Sequence, residues 1–128
     1  MSVQLYENAI GLLKTNLAVN MQNSAAQALY TVPTGKKCVV THVVIRTCSV
    51  TFTGSAVNKF GFNSTAYDNW KSLTTELATM TTADAIVITN TAKFVIGVAA
   101  DVFKIIIATG VTAAATATID VFGFLYDA

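Results

Sequence analysis

The chain has 128 residues, of which 53% are hydrophobic and only 12% charged, with a formal net charge of +1; a typical soluble domain has about 25% charged residues. This length suits one domain with one core, and the basic residues are scattered, which argues against the clustered basic face that nucleic-acid binding requires. The most apolar stretch, residues 94–108, contains Asp101 and Lys104 and is shorter than the ~20 residues of a membrane-spanning helix, so neither nucleic acid nor membrane is an expected partner.

The N-terminal segment has an ambiguous pattern that fits either one helical face or two short extended pieces. Residues 1–10 have no positively charged region, and Glu7 interrupts them, so no secretory signal is predicted. We expect residues 1–24 to form an N-terminal arm or edge segment and residues 25–128 to form a β-sandwich domain. The apolar positions of the N-terminal segment are Val3, Leu5, Ile10, Leu12, Leu13 and Leu17.

Short runs of β-branched and aromatic residues follow, separated by turn signals such as Pro33-Thr34-Gly35. In the longest run, residues 36–52, alternation predicts a core face formed by Val39, Thr41, Val43 and Ile45. Residues 72–80 could form a short helix. The predicted strands are residues 25–32, 36–52, 58–63, 84–89, 93–98, 102–108 and 115–126.

With an N-terminal piece, this gives about eight short strands. Strands do not alternate with long helical patterns, so α/β architectures fit poorly. Regularly spaced short strands with turn signals are typical of sandwiches and barrels. The sequence therefore predicts an all-β fold, a single-domain β-sandwich of jelly-roll type.

The last predicted strand is apolar on both faces, with Ile119, Val121 and Leu125 on one side and aromatic residues on the other. Such a strand is either central and covered twice, or has one face against a neighbouring subunit. The low charge also indicates that partners cover part of the surface. The residues predicted at an interface are Leu5, Ile10, Leu12, Leu13, Phe122, Phe124 and Tyr126.

The segment of residues 2–17 is the predicted arm, because a short apolar extension can add a strand to a neighbour's sheet edge. The alternative is that this segment completes its own domain.

No catalytic motif is legible. His42, the only histidine, lies within a predicted strand and is interpreted as structural, either partly buried or at an interface. The acidic residues are dispersed, and no metal-ligand spacing or glycine-rich phosphate loop occurs. We therefore expect no enzyme activity, no catalytic residues, no metal and no cofactor.

Cys38 and Cys48 fall in one predicted strand, where ten residues span roughly 33 Å. A disulfide needs Cα atoms within about 4.4–6.8 Å. The two thiols are predicted to be free and buried, as in a protein folded in a reducing cytoplasm.

The stretch of residues 60–70 is the best candidate for ligand binding. It combines aromatic rings with amides and a carboxylate, which can bind sugars by stacking and hydrogen bonding. The favoured interpretation is instead that its Phe residues are core and that Trp70 caps one end of the sandwich. The candidate ligand-binding residues are Tyr67, Asp68, Asn69 and Trp70.

Residues 29–37 read LYTVPTGKK, and residues 39–46 read VVTHVVIR. A strand that ends in this turn and leads into a long Val/Ile/Thr strand resembles the small β-sandwich proteins of tailed-bacteriophage virions. Asp101-Val102-Phe103 and residues 119–125 are also similar to that group, so the resemblance extends from about residue 25 to the end of the chain. It implies a structural virion protein without catalytic residues.

The resemblance further implies a protein that is assembled in the host cytoplasm and located in the virion. Its expected partners are further copies of itself, in a homo-oligomer, and the major capsid or tail proteins. The leading hypothesis is a capsid decoration or cement protein that stabilises a protein lattice. The alternative is a tail- or fibre-associated module that binds a receptor or carbohydrate.

Overall fold

The structure, a computed structural model, describes residues 9–22, 25–52, 57–78, 80–89, 95–111 and 114–128. No helix among these residues is long and apolar enough to cross a membrane. The strands in the described part of the chain are β1 (Gly11–Asn20), β2 (Gln27–Thr31), β3 (Lys36–Arg46), β4 (Val57–Gly61), β5 (Lys71–Thr74), β6 (Ala85–Thr89), β7 (Ile96–Gly97), β8 (Val102–Thr109) and β9 (Thr116–Asp127).

These strands form two antiparallel sheets. One has the order β1-β9-β3-β6, with the short β7 next to β6 along the same edge of β3, and the other has the order β2-β8-β4-β5. The pairings are nested, because β1 pairs with β9, β2 with β8, β3 with β6 and β7, and β4 with β5. A long hairpin rolled up in this way is a jelly roll. The predicted all-β jelly-roll sandwich is confirmed, with about nine strands rather than eight.

β1 belongs to the domain's own sheet. It pairs antiparallel with β9 from Gly11 opposite Gly123 to Asn20 opposite Thr116, and it forms one edge of that sheet. Residues 11–20 are therefore extended, and they complete their own domain as an edge strand. The boundary predicted at residue 24 thus falls after a strand of the sandwich. Residues 1–8 of the predicted arm lie outside the described residues.

The core between the sheets has an aromatic centre. Phe60 and Phe103 are fully buried and stack with ring centroids 5.9 Å apart. Trp70 meets both rings edge-on, at 5.8 Å from Phe60 and 5.4 Å from Phe103. Its Nε1 donates a hydrogen bond of 2.8 Å to the carbonyl oxygen of Val40 on the other sheet, so the buried indole leaves no donor unpaired.

A β-bulge interrupts the alternation of β3. The partners on β9 shift between Val40 and His42, which leaves Thr41 without a residue opposite it. Beyond the bulge, Val43 and Ile45 are fully buried in the core, as predicted.

Before the bulge, the core side chains of β3 are those of Cys38 and Val40. Val39 is buried, but on the other side of the sheet next to Phe124, and Thr41 is only half-buried. The prediction that Val39 and Thr41 share the core face with Val43 is therefore wrong. An extra residue in one strand reverses the alternation, and the sequence pattern alone does not reveal it.

The prediction of a short helix at residues 72–80 is also wrong. β5 pairs with β4, and a turn follows. Leu77 and Met80 are fully buried, whereas Leu73 is 61% exposed. These side chains do not share one buried face, which a core-facing helix would require.

Candidate interaction surface

One side of the β1-β9-β3-β6 sheet faces the core, and its opposite side carries many apolar and aromatic side chains. Directly paired residues of antiparallel strands project to the same side, so the registers of the sheet define rows across it. We call the residues of these rows the outer face. From one end to the other, the rows are Thr118–Arg46–Ala85, Thr15–Asp120–Val44–Val87, Leu12–Phe122–His42–Thr89, Phe124–Val39–Ile96 and Tyr126–Lys37.

Apart from the buried Val39, the apolar residues of the outer face are in contact with solvent. Val87 is 56% exposed, Ile96 is 51% exposed and Leu12 is 36% exposed. The rings of Phe122, Phe124 and Tyr126 are half-buried. Single exposed apolar residues are common, but a contiguous set across several strands is typical of interaction sites.

His42 and Phe122 occupy the middle row. Their rings stack with centroids 4.6 Å apart and planes 8° from parallel. The Thr41 Oγ1 lies 3.0 Å from the His42 Nδ1. Burial lowers the pKa of His42, so the imidazole is neutral at pH 7 and the middle of the outer face carries no charge.

Asp120 and Arg46 form an ion pair within the outer face. The Asp120 side chain is 8% exposed and accepts a hydrogen bond of 2.7 Å from the Arg46 Nε and one of 2.8 Å from the Thr15 Oγ1. Burial alone would raise the pKa of Asp120, but these hydrogen bonds and the guanidinium charge outweigh burial and lower it. Because the carboxylate is paired within the chain, it requires no cation from a partner.

The structure brings together four of the predicted interface residues on the outer face, namely Leu12, Phe122, Phe124 and Tyr126. Leu13 instead packs against the core. Ile10 is 64% exposed just before β1, and Leu5 lies outside the described residues.

Sequence reasoning missed other members of the outer face, above all Val44, Val87 and Ile96. Both sides of β3 and β6 are apolar, so their alternation does not say which side faces out. Of the two interpretations of His42, partly buried or at an interface, partial burial agrees with the structure. Its stacking on Phe122 depends on the register between two strands that lie far apart in the chain.

The candidate ligand-binding loop uses its polar groups internally. The Asn63 Oδ1 accepts hydrogen bonds from the backbone nitrogens of Asp68 and Asn69, at 2.9 and 3.1 Å, and its Nδ2 donates to the Asp68 Oδ1 at 2.8 Å. The Lys104 Nζ lies 4.9 Å from the centre of the Tyr67 ring. The Asn69 side chain accepts from the backbone nitrogen of residue 62. These contacts hold the loop in shape.

Trp70, the remaining candidate in this stretch, is 2% exposed and belongs to the aromatic centre of the core. Its ring has no accessible face on which a sugar could stack. The favoured core interpretation of the Phe residues agrees with the structure, in which Phe60 is fully buried and Phe62 is 7% exposed.

A depression of about 320 Å³ lies beside the end of β1. Its polar groups hydrogen-bond to one another and to the surrounding backbone: the Asn20 Oδ1 accepts from the Gln22 nitrogen at 2.9 Å, and the Ser49 Oγ accepts from the Thr116 nitrogen at 3.0 Å. In the described part of the chain, no three His, Cys, Asp or Glu side chains are placed to hold a metal ion.

Both cysteines are free and buried, as predicted. Burial raises the pKa of Cys38 to about 12. The Cys48 thiol, two residues beyond the end of β3, donates to the carbonyl oxygen of Thr81 at 3.0 Å. Both are therefore protonated at pH 7, which makes them poor nucleophiles.

No protein-family model, no curated protein and no solved structure matches the chain. The outer face, described from its own residues, is therefore the main basis for a functional assignment.

Proposed function

We propose that the protein is a non-enzymatic structural subunit of a bacteriophage virion, a capsid decoration or cement protein that stabilises a lattice through contacts of its outer face. The observation that carries this proposal is the exposure of Val87, Ile96 and Leu12 beside the half-buried rings of Phe122 and Phe124 on one side of a sheet whose other side already fills the core.

The physical argument is the cost of leaving such a surface in water. Burying apolar surface is worth roughly 25 cal/mol per Å², so a partner that covers the outer face gains stability without any new charge pair. A jelly roll is a firm support for this role, because β9 and β3 are each held by paired strands on both sides.

The assignment to a virion rests on the resemblance of residues 29–46 and 119–125 to phage β-sandwich proteins. The low proportion of charged residues and the two buried, protonated thiols support it, since phage proteins assemble in a reducing cytoplasm.

The alternative, a tail- or fibre-associated module that binds a receptor or carbohydrate, has less support. Both polar atoms of the Asn63 amide and the Oδ1 of Asn69 make hydrogen bonds within the loop or with the backbone nitrogen of residue 62, just before it. Trp70 is buried.

The test is cosedimentation of the purified full-length chain with heads and with tails of the phage that encodes it. The variants Val87→Lys and Leu73→Lys form a matched pair, because both residues are exposed on edge strands, of the outer-face sheet and of the other sheet respectively. We expect wild type and Leu73→Lys to sediment with heads and Val87→Lys to bind at least about tenfold more weakly, because a lysine would be desolvated. Binding to tails alone, or a positive glycan array without head binding, would favour the alternative.

A further inference from the structure

We infer that the outer face binds a second copy of this chain, sheet against sheet about a two-fold axis, with His42 and Phe122 at the centre of the contact. The inference deepens the proposed function, because it names a second copy of the chain as the partner that covers the outer face in the lattice, and the mass of the free protein tests it without any virion.

The size of the outer face suits a modest dimer. Four strands at about 4.8 Å spacing and eight residues of length at about 3.4 Å give a footprint of roughly 19 by 27 Å, or about 500 Å² on each copy. The total of about 1,000 Å² is near the lower bound of specific interfaces and well below the 2,000 Å² or more of obligate dimers. We therefore expect a reversible dimer with a Kd of about 1–100 µM.

The charges of the outer face favour a second copy over a partner of opposite charge. The charged residues that the registers place on it are Arg46, Asp120 and Lys37. Arg46 and Asp120 neutralise each other, so most of the face is neutral and meets its own copy without repulsion.

One arrangement also accommodates Lys37. In this arrangement the two-fold axis lies between the two sheets, runs parallel to the strands and passes between β9 and β3. It places each β9 residue of one copy over the β3 residue that occupies the same row in the second copy. Lys37 then lies over Tyr126 of the second copy, where a cation–π contact is available. In the middle row, His42 lies over Phe122 of the second copy. Packed sheets of this kind lie about 10 Å apart with side chains interdigitated.

This arrangement makes the dimer sensitive to acid. Burial already lowers the pKa of His42 in the single chain, and a second copy removes more water and lowers it further. Because the dimer then prefers neutral imidazole, dissociation takes up protons, and the dimer weakens as the pH falls through the pKa of the free chain. With two His42 side chains per dimer, the Kd can rise by up to about 100-fold per pH unit in that range.

The described groups around His42 offer no unpaired carboxylate that would stabilise an imidazolium. Its row contains Phe122, Leu12 and Thr89. The charged groups of the outer face and of the neighbouring β5 are the Asp120–Arg46 pair, Lys37, and Lys71, whose Nζ lies 3.1 Å from the carbonyl oxygen of Thr89 and 3.2 Å from the Glu76 Oε1.

The experiment is sedimentation equilibrium of the full-length chain at pH 7.5 and pH 5.0, on wild type and four variants. Phe122→Thr and Val87→Lys alter the outer face, Leu73→Lys is the matched control on the other sheet, and His42→Phe keeps a stacking ring but cannot titrate.

At pH 7.5 we expect wild type, Leu73→Lys and His42→Phe to reach the mass of two chains, and the Kd of Phe122→Thr and Val87→Lys to rise at least about tenfold. Lowering the pH to 5.0 raises the Kd of wild type relative to that of His42→Phe. Fluorescence of the buried Trp70 confirms that each sample is folded.

Several results would overturn the inference. The first is a wild-type chain that stays monomeric at several hundred micromolar. The second is a Leu73→Lys variant that dissociates as readily as Val87→Lys. The third is association through the outer face that continues beyond two chains, seen as a mass that keeps rising with concentration. Acid dissociation of His42→Phe as well as wild type would remove His42 from the contact. A dimer that ignores phage heads would leave this inference standing and refute the proposed function, whereas a monomer that binds heads would do the reverse.

Discussion

Asn58 is the polar residue that the core does not satisfy. Its side chain is fully buried on β4, and among the described residues its Oδ1 and Nδ2 are the buried side-chain atoms without a hydrogen-bond partner. Asn16 offers a contrast, because its Nδ2 donates to the carbonyl oxygens of Leu29 and Ile119, at 3.0 and 3.2 Å. An unpaired buried polar group costs about 1–3 kcal/mol, whereas a paired one contributes stability.

Asn58→Val is therefore expected to raise the free energy of unfolding by about 1–2 kcal/mol, since it removes the unpaired amide and places a β-branched residue in a strand. Asn16→Val should lower it by about 1–3 kcal/mol, because two backbone carbonyls lose their donor. Urea denaturation of both variants measures the difference. A lower stability of Asn58→Val would mean that the amide has a partner in solution.

The two thiols provide a second test at this scale. Because Cys38 and Cys48 are buried and protonated, a thiol reagent should react slowly with the native chain at pH 7 and should count two thiols per chain in denaturant without reductant. A Cys38–Cys48 disulfide found by mass spectrometry would contradict the structure of β3 and the residues after it.

At the scale of elements, the sequence predicted where strands form better than it predicted which side of each strand faces the core. The runs predicted at residues 102–108 and 115–126 are strands, whereas the strand predicted at residues 36–52 ends at Arg46, so Cys48 lies beyond it. The core side of β3 was predicted correctly only beyond Thr41, because the bulge at that residue depends on the partner strand β9.

The outer face could be predicted only in part for the same reason. Phe122, Phe124 and Tyr126 alternate within one strand, so the sequence alone groups them. Their proximity to Val44 and Val87 depends on pairings across about 40 to 80 positions of the chain, and no pattern within a single strand encodes those pairings.

The contact of β9 with β3 yields a prediction at Gly123. A Cβ at this position would collide with the carbonyl oxygen of Val39. Gly123→Ala must therefore push two central strands apart beside the bulge, and we expect it to cost about 3 kcal/mol or more, or to prevent folding.

Gly35→Ala is the matched control for Gly123→Ala. Gly35 has a φ of +78° but nothing within 4 Å of an added Cβ, so only backbone strain of about 1–2 kcal/mol is expected. Equal costs for the two variants, measured by urea denaturation, would show that the close approach of β9 to β3 is not as described.

At the scale of the whole molecule, the two sides of the sandwich differ. The core is closed by aromatic packing of Phe60, Phe103 and Trp70. The outer face adds apolar surface that the core does not need, and its ion pair is satisfied within the chain. This asymmetry is the physical basis for assigning function to protein contacts.

Methyl NMR of the isotopically labelled full-length chain over a range of concentrations tests this assignment most directly, because it locates the contact in the unaltered protein. We predict that the methyl signals of Val44, Val87 and Ile96 shift progressively between about 10 µM and 1 mM, the range set by the expected Kd, while those of Leu73 on the opposite sheet stay fixed. Shifts at Leu73 with constant signals from Val87 and Ile96 would contradict the account and place the interacting surface on the other side of the sandwich.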